Sequence, residues 1–204
     1  MTMIFLNGCT SAGKTSIARA LQAALDPPFL RYGIDDAFAM LPLHLHNHAD
    51  GFFFDRDSRG LVRLNHGALG RTLLHAYRRA AVAIARTAAV IIDEVVLDAA
   101  TAADWVAVTS DVDVVTIGVR CGLDELERRE IARGDRLIGQ ARGQFDIVHR
   151  WFVYDLEVDT TAVSPESAAI TIVAGIASRP GRGRLNRRDT AGTTGDGMAH
   201  DRDG

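Results

Sequence analysis

Short apolar runs recur along this chain, and between them lie longer segments in which apolar residues return every three to four positions. Continuous apolar runs are typical of strands buried on both faces of a parallel sheet, and the longer period is that of amphipathic helices. Five runs have strand character, and they lie near Phe5, Leu30, Ile91, Val115 and Leu156. Strands that alternate with helices predict a three-layer α/β/α fold around a mainly parallel five-stranded sheet.

Two parts of the chain depart from this alternation. Residues 52–54 are apolar, residues 61–64 are mostly apolar, and the two runs flank a polar turn, which predicts a small β-hairpin inserted into the domain. From residue 179 onward the sequence has neither periodicity nor sufficient apolar content to offset its chain entropy. We therefore expect one domain over residues 1–178 and a disordered tail over residues 179–204.

The first strand leads directly into the sequence GCTSAGKT, and a helical pattern follows it. This is the spacing G-x-x-x-x-G-K-[ST] of a phosphate-binding P-loop, in its usual context of strand, loop and helix. The two glycines permit a backbone path that a Cβ would obstruct, so that N–H groups at the helix N-terminus can surround an anion. The residues expected to bind the nucleotide are Gly8, Cys9, Thr10, Ser11, Ala12, Gly13, Lys14, Thr15 and Ser16.

Two of these residues have further expected roles. Lys14 is the only lysine among the 23 basic residues of the chain, and its ammonium would reach the β- and γ-phosphates. The Thr15 hydroxyl would be a ligand of Mg²⁺. Asp93 ends an apolar strand, where its carboxylate can hold the same ion opposite Thr15, the alternative being a solvated strand end.

Ligands of an open parallel sheet bind beyond the carboxyl ends of the strands, so acidic residues there are candidates for catalysis. Asp35 follows the second strand, and we assign it as the base that accepts the proton of an attacking hydroxyl. The alternative is that Asp35 or Asp36 only caps the next helix, and both roles hold if Asp36 is the cap. Glu94 is a candidate for orienting a water molecule or Asp93.

An arginine-rich segment after the fourth strand predicts a mobile lid. Arg133 and Arg136 are the candidates for offsetting the charge that develops on a phosphoryl group while the lid excludes water. Arg128 and Arg129 are assigned to a solvated helix face. A further helix is expected over residues 144–151. Thr160 would lie near the adenine if the last strand packs beside the strand that precedes the P-loop.

Composition excludes several classes of partner. The net charge of −3 provides no basic field for nucleic acid or an anionic membrane, and no apolar stretch approaches the length of a membrane span. Two cysteines indicate no disulfide framework, and the three histidines between residues 44 and 48 lack the geometry of a defined metal site. We expect a cytoplasmic protein without nucleic-acid or membrane partners. Residues 52–54 could line a pocket or a dimer interface, so a homo-oligomer stays open.

Five stretches of the chain resemble the chloramphenicol phosphotransferase family in order and spacing. They are NGCTSAGKTS, YGIDDAF, AVIIDEVVLD, EIARGDR and YDLEVDTT, and the resemblance extends from residue 3 to about residue 177. It implies a P-loop kinase fold with an arginine lid, related to adenylate and shikimate kinases. It also implies that the family's base corresponds to Asp35 and its lid arginines to Arg133 and Arg136. The chain departs from the family between residues 44 and 64, the expected acceptor region.

Together these patterns predict an ATP- and Mg²⁺-dependent O-phosphotransferase that acts on a hydroxyl of a small molecule. The resemblance makes a chloramphenicol-like antibiotic the first candidate acceptor, which would be an antibiotic-resistance activity. One alternative keeps the chemistry and changes the acceptor to another metabolite or a nucleotide sugar, as in zeta-toxin-like kinases. The other alternative is a regulatory nucleotide-binding module that transfers no phosphate.

Overall fold

The computed structural model describes residues 3–58, 60–134, 137–179, 183 and 185–187. The strands of this part of the chain are β1 (Met3–Asn7), β2 (Leu30–Gly33), β3 (Phe52–Arg56), β4 (Val62–His66), β5 (Val90–Glu94), β6 (Val114–Arg120), β7 (Phe152–Val153), β8 (Leu156–Asp159) and β9 (Asn186–Arg187). The α-helices are α1 (Lys14–Ala24), α2 (Ile34–Ala39), α3 (Ala68–Ala85), α4 (Ala99–Val108), α5 (Leu123–Arg133), α6 (Gln140–Phe145) and α7 (Pro165–Ala177). None of these helices is both long and apolar enough to cross a membrane.

The predicted parallel sheet of five strands is confirmed. Its strand order is β2-β5-β1-β6-β8, and each neighbouring pair is parallel. Leu6 of β1 and Gly33 of β2 are both in register with Asp93 of β5. The carboxyl ends of these three strands therefore lie at one edge of the sheet, and the segments that follow them meet there.

Helices cover both faces of the sheet, which gives the predicted three layers. On one face Leu6 belongs to an apolar cluster that includes Ile17 of α1. On the other face Phe5 packs edge-on against Trp105 of α4, with their ring centroids 5.0 Å apart. Alternate residues of β1 point to opposite faces of the sheet, and both faces are covered. The strand is therefore buried along its whole length.

The predicted hairpin is also confirmed, as the antiparallel pair β3 and β4. It packs against the segment that joins α5 to α6. The Val62 N–H donates to the Gly139 carbonyl at 3.3 Å, and the Arg56 guanidinium donates to the Ile138 carbonyl at 2.8 Å. The hairpin therefore contacts residues 138 and 139, which follow the predicted arginine lid.

The helix predicted over residues 144–151 is wrong in its bounds, since α6 spans Gln140–Phe145 and is followed by turns. Its early start depends on Glu130, a residue of α5 that is only 1% exposed. The Glu130 carboxylate accepts hydrogen bonds from the N–H groups of Gly139 and Ala141, both at 2.8 Å. These groups would otherwise lack partners at a helix N-terminus, and the carboxylate that satisfies them lies on another helix.

Contacts with the domain extend beyond residue 178. The N–H of Gly183 donates to the Asp113 carboxylate at 2.8 Å, Leu185 is 4% exposed within the core, and β9 pairs with β7. These described residues lie inside the segment predicted to be disordered. Their contacts are with distant parts of the chain, which the local sequence does not indicate. Residues 180–182, 184 and 188–204, the remainder of that predicted tail, lie outside the described residues.

Two isoleucines of α7 test the layer arrangement. Ile172 is fully buried against α1 and the sheet, whereas Ile170 on the same helix is 68% exposed. We expect Ile172→Ala to lower the free energy of unfolding by about 2–5 kcal/mol, because it removes apolar contacts and leaves a cavity. Ile170→Ala should change it by less than about 0.5 kcal/mol. Urea unfolding of both variants measures the difference, and equal losses would contradict the burial of this face.

Candidate active site

A cavity of about 550 Å³ lies at the carboxyl edge of the sheet. The P-loop forms one part of its wall, through Thr10, Ser11, Gly13, Lys14, Thr15 and Ser16. The other predicted loop residues, Gly8, Cys9 and Ala12, are buried and do not reach the cavity. The structure thus brings most of the predicted phosphate-binding residues to one surface.

The backbone of the P-loop has the shape that an anion site requires. A Cβ on Gly8 would lie 2.3 Å from the Val119 carbonyl of β6, so no side chain fits where the loop leaves the sheet. Ser11 and Gly13 have positive φ values of 61° and 85°, and such left-handed residues allow neighbouring N–H groups to converge. The Ser11 hydroxyl is buried and has no hydrogen-bond partner in the described part of the chain. An orphaned hydroxyl in this loop fits a phosphate oxygen.

Asn7 anchors the start of this loop, and sequence reasoning missed it. Its fully buried amide donates to the Val148 carbonyl and the Tyr154 hydroxyl, both at 2.8 Å. Its amide oxygen accepts from the Val96 N–H at 2.9 Å. One side chain therefore joins β1 to the segments after β5 and α6. The available signal was an amide in an apolar strand immediately before Gly8, because a buried amide needs partners.

Lys14, Thr15 and Asp93 form a compact polar group at the N-terminus of α1. The Thr15 hydroxyl donates to Asp93 Oδ2 at 2.5 Å, and Lys14 Nζ lies 3.9 Å from Asp93 Oδ1. Lys14 Nζ also donates to the Cys9 carbonyl at 2.8 Å, which holds the ammonium against the loop. A hydroxyl and a carboxylate at this separation are the hard oxygen ligands that Mg²⁺ prefers, so the pair fits a divalent cation.

Asp35 and Asp36 have different environments, although they are neighbours in the first turn of α2. Asp35 is exposed and lines the cavity. The Asp36 carboxylate accepts from the Gly33 N–H at 2.7 Å and from the Arg31 guanidinium at 2.9 Å, so it caps the helix. Of the alternatives open at the sequence level, capping belongs to Asp36, and Asp35 faces the cavity.

Glu94 belongs to the core and does not line the cavity. It is 1% exposed, and its carboxyl oxygens accept from the Val95 N–H at 2.8 Å and the Trp105 indole N–H at 3.0 Å. Burial raises the pKa of Glu94 to about 7, although the Val95 N–H and the nearby Arg78 charge act in the opposite direction. The predicted role in orienting water is therefore not supported by its position.

The arginines that line the cavity are not the pair that was predicted to form the lid. Arg133 lines the cavity, and Arg136 lies outside the described residues. Arg129 was assigned to a solvated face, but it also lines the cavity, and its guanidinium donates to the Thr160 carbonyl at 2.6 Å. Arg128 is an exposed partner of Glu125, as expected. The signal for Arg129 was its spacing of four residues from Arg133, which places both on one helix face.

Thr160 also lines the cavity, but the condition attached to it is not met, because β8 packs beside β6 and not beside β1. Its hydroxyl nevertheless donates to the Ala12 carbonyl of the P-loop at 2.9 Å. Arg129 completes this arrangement, since a Cβ on Gly13 would lie 3.8 Å from one of its guanidinium nitrogens. The positively charged Arg129 guanidinium therefore lies beside the N-cap of α1, where an anionic ligand is expected.

Two other sequence features take no part in this site. His46 and His48 make local contacts with the Leu41 carbonyl and the Asp50 N–H. Among the described residues, no group of three or more His, Cys, Asp or Glu side chains could hold a metal ion. Burial raises the pKa of the Cys9 thiol to about 12, despite the nearby Lys14 charge. The thiol therefore stays protonated at neutral pH and acts as a small core group.

A parallel sheet with a P-loop after its first strand and a cavity at its carboxyl edge is the arrangement of the P-loop kinase-type fold. Solved structures agree on the fold. The APS kinase CysC of Mycobacterium tuberculosis, in complex with AMPPNP and APS, has a TM-score of 0.60 at 16% identity, covering 86% of this chain and 97% of its own. A gluconokinase of Sinorhizobium meliloti 1021 has a TM-score of 0.57 at 14% identity, covering 86% and 91%.

The sequence comparisons are more specific. The family described as "Chloramphenicol phosphotransferase-like protein" matches residues 1–177, and the chain belongs to this family. A curated relative from Mycobacterium tuberculosis strain H37Rv, "Putative O-phosphotransferase Rv2636", is 31% identical over 169 residues, which cover 78% of this chain and 75% of that protein. The expected family and the kinase-type fold are therefore confirmed.

The raised pKa of Glu94 predicts a pH dependence of stability. Between pH 4.5, its ordinary pKa, and about 7, the folded protein holds a proton that the unfolded chain has released. The free energy of unfolding should therefore fall as pH rises through this window. Relative to Glu94→Gln, whose side chain does not titrate, the wild-type protein should lose stability in urea titrations from pH 5 to pH 8. A difference that is constant with pH would mean that Glu94 is already ionised at pH 5.

Proposed function

We propose that this protein is an ATP- and Mg²⁺-dependent O-phosphotransferase that transfers the γ-phosphate of ATP to a hydroxyl of a small molecule. The observation that carries the proposal is that Asp35 lines the same cavity as Lys14 and Thr15 of the P-loop. A nucleotide-binding module that does no chemistry needs the loop but has no use for an exposed carboxylate facing it. A transferase needs both, because a hydroxyl must be oriented and must lose its proton.

The described residues suggest a division of work along the cavity. The P-loop, Arg129 and Thr160 would hold the nucleotide, with Lys14 placed for its phosphates, and Thr15 with Asp93 would hold Mg²⁺. The bound cation would supply positive charge that offsets the charge on the phosphate oxygens. Asp35 would accept the acceptor's hydroxyl proton and aim its oxygen. Arg133 would offset developing charge on the transferred group, and Arg136, outside the described residues, is proposed for the same work.

The wall beside Asp35 supports an acceptor with an apolar body. It consists of apolar side chains from α2, from the hairpin and from the segment after β5, namely Ile34, Phe38, Phe54, Leu64, Val95 and Leu97. A chloramphenicol-like antibiotic is the first candidate, in line with the family. Another hydroxyl metabolite is the alternative. A nucleotide sugar is a further alternative.

The paired aspartates of α2 test the proposed base. Asp35→Ala should reduce phosphate transfer by at least about 100-fold, because the acceptor hydroxyl loses its base, while the affinity for ATP stays nearly unchanged. Asp36→Ala should retain transfer and lose about 0.5–2 kcal/mol of stability through the missing helix cap. Transfer is measured as ATP consumption with chloramphenicol and a panel of hydroxyl compounds, followed by mass measurement of the product.

Two outcomes would contradict this assignment. Normal turnover of the Asp35→Ala variant would exclude Asp35 as the base. Tight binding of ATP without transfer to any compound of the panel would instead favour the regulatory module.

Arg128 and Arg129 are neighbours on α5, and together they test the nucleotide side of the cavity. Each forms an ion pair with Glu125, but of the two only Arg129 contacts Thr160 and lies beside Gly13. We expect Arg129→Met to weaken the binding of a non-hydrolysable ATP analogue by about tenfold or more, because a hydrogen-bonding charge beside the phosphates is lost. Arg128→Met should leave the affinity within about twofold. Calorimetric titration measures both, and equal effects would place Arg129 outside the nucleotide site.

A further inference from the structure

The short helix α6 lies between the hairpin and the P-loop. Its face formed by Gly139 and Gly143 packs on β4, where added Cβ atoms would lie 2.7 Å from the Gly60 carbonyl and 2.6 Å from the Val62 carbonyl. Residues 140 and 144 lie one position further along and are four residues apart, so they share the adjacent helix face. Both Gln140 and Gln144 line the cavity. The helix therefore presents two amides to the site.

These two amides differ in what they contact. The Gln144 amide oxygen accepts from the Thr10 N–H of the P-loop at 2.7 Å, so this amide supports the loop. Gln140 is only 5% exposed, yet no hydrogen bond joins its amide to any residue that the structure describes. The amide is not among the fully enclosed polar groups that lack a partner, so it keeps access to the cavity. A ligand that displaces water from this amide must replace the lost hydrogen bonds, and only a polar group can do so.

The position of Gln140 is firmly held. Its neighbours Gly139 and Ala141 both donate their N–H groups to the buried Glu130 carboxylate, and Ala141 is fully buried. The backbone on either side of Gln140 is thus fixed to α5. A residue that recognises a ligand benefits from such support. Because its backbone is already ordered, ligand binding does not have to include the free-energy cost of ordering it.

Gln140 belongs to the acceptor side of the cavity. The helix runs from the hairpin at Gly139 to the P-loop at Gln144, and Gln140 lies one turn nearer the hairpin. The hairpin contributes Phe54 and Leu64 to the apolar wall beside Asp35. We therefore place Gln140 on the hairpin side of the cavity, where its amide can both donate and accept a hydrogen bond.

We propose that Gln140 is a specificity-determining residue that hydrogen-bonds a second polar group of the acceptor, a hydroxyl, carbonyl or amide other than the hydroxyl that receives phosphate. This inference rests on the proposed phosphotransfer function. It defines the acceptor class as molecules with an apolar body and two separated polar groups. A pocket that satisfies a buried amide in this way discriminates against analogues that lack the second group, because the amide would then stay unpaired.

The test uses Gln140→Met, which keeps the length and removes the amide, and Gln140→Asn, which keeps an amide on a shorter side chain. Gln22→Met is the matched control, since Gln22 on α1 bonds the Phe29 carbonyl and does not line the cavity. Transfer from ATP and direct binding are measured with chloramphenicol and with hydroxyl compounds that have or lack a second polar group. Thermal unfolding of each variant shows that it is folded.

For acceptors with the second polar group, Gln140→Met should raise KM about three- to tenfold, the value of one lost hydrogen bond, while kcat and the KM for ATP change less than about twofold. Acceptors without that group should bind the variant at least as well as the wild-type protein, because Gln140→Met removes the amide that would otherwise stay unpaired. Gln140→Asn should lie between them, and Gln22→Met should match the wild type.

An unchanged acceptor KM, or an effect on the KM for ATP instead, would overturn the proposal. If compounds bind but receive no phosphate, the function proposed above fails, and weaker binding to Gln140→Met would still support the role of Gln140. If no compound of this class binds or reacts, the acceptor class and the role of Gln140 both fall.

Discussion

The parallel pairing of β1 and β2 with β5 is the constraint on which the site depends. The register places both Leu6 and Gly33 opposite Asp93, so the P-loop, the Asp93 carboxylate and α2 all begin at the same edge. A shift of β5 by one residue would turn Asp93 to the opposite face of the sheet. The 2.5 Å contact between Thr15 and Asp93, and the exposure of Asp35 to the same cavity, both follow from this register.

A second constraint lies at the buried carboxylate of Glu130. It joins the last turn of α5 to the first turn of α6, and α6 in turn contacts both the hairpin and the P-loop. The end of α5 and the start of α6 are therefore held together by side-chain hydrogen bonds. The hairpin and the P-loop therefore both form hydrogen bonds with the same short helix and the residue that precedes it.

Local patterns were sufficient for much of the fold. The five strands of the sheet and the inserted hairpin were each indicated by apolar runs and turn residues within a few positions. The early start of α6 was not, because the carboxylate that caps it lies on α5, nine residues before Gly139. Arg128 and Arg129 were equally plausible as solvated residues, since they are identical in type. Only the packing of α5 against Thr160 separates them.

By itself, the sequence determined the class of fold, the P-loop and the family, because these depend on apolar periodicity and on residues with fixed spacing along the chain. Tertiary structure alone decided which carboxylate of the Asp35–Asp36 pair lines the cavity, that Glu94 is buried in the core, and that Gln140 lines the same cavity as Asp35. Those outcomes depend on which distant element packs against each side chain. The neighbouring residues in the sequence do not specify that contact.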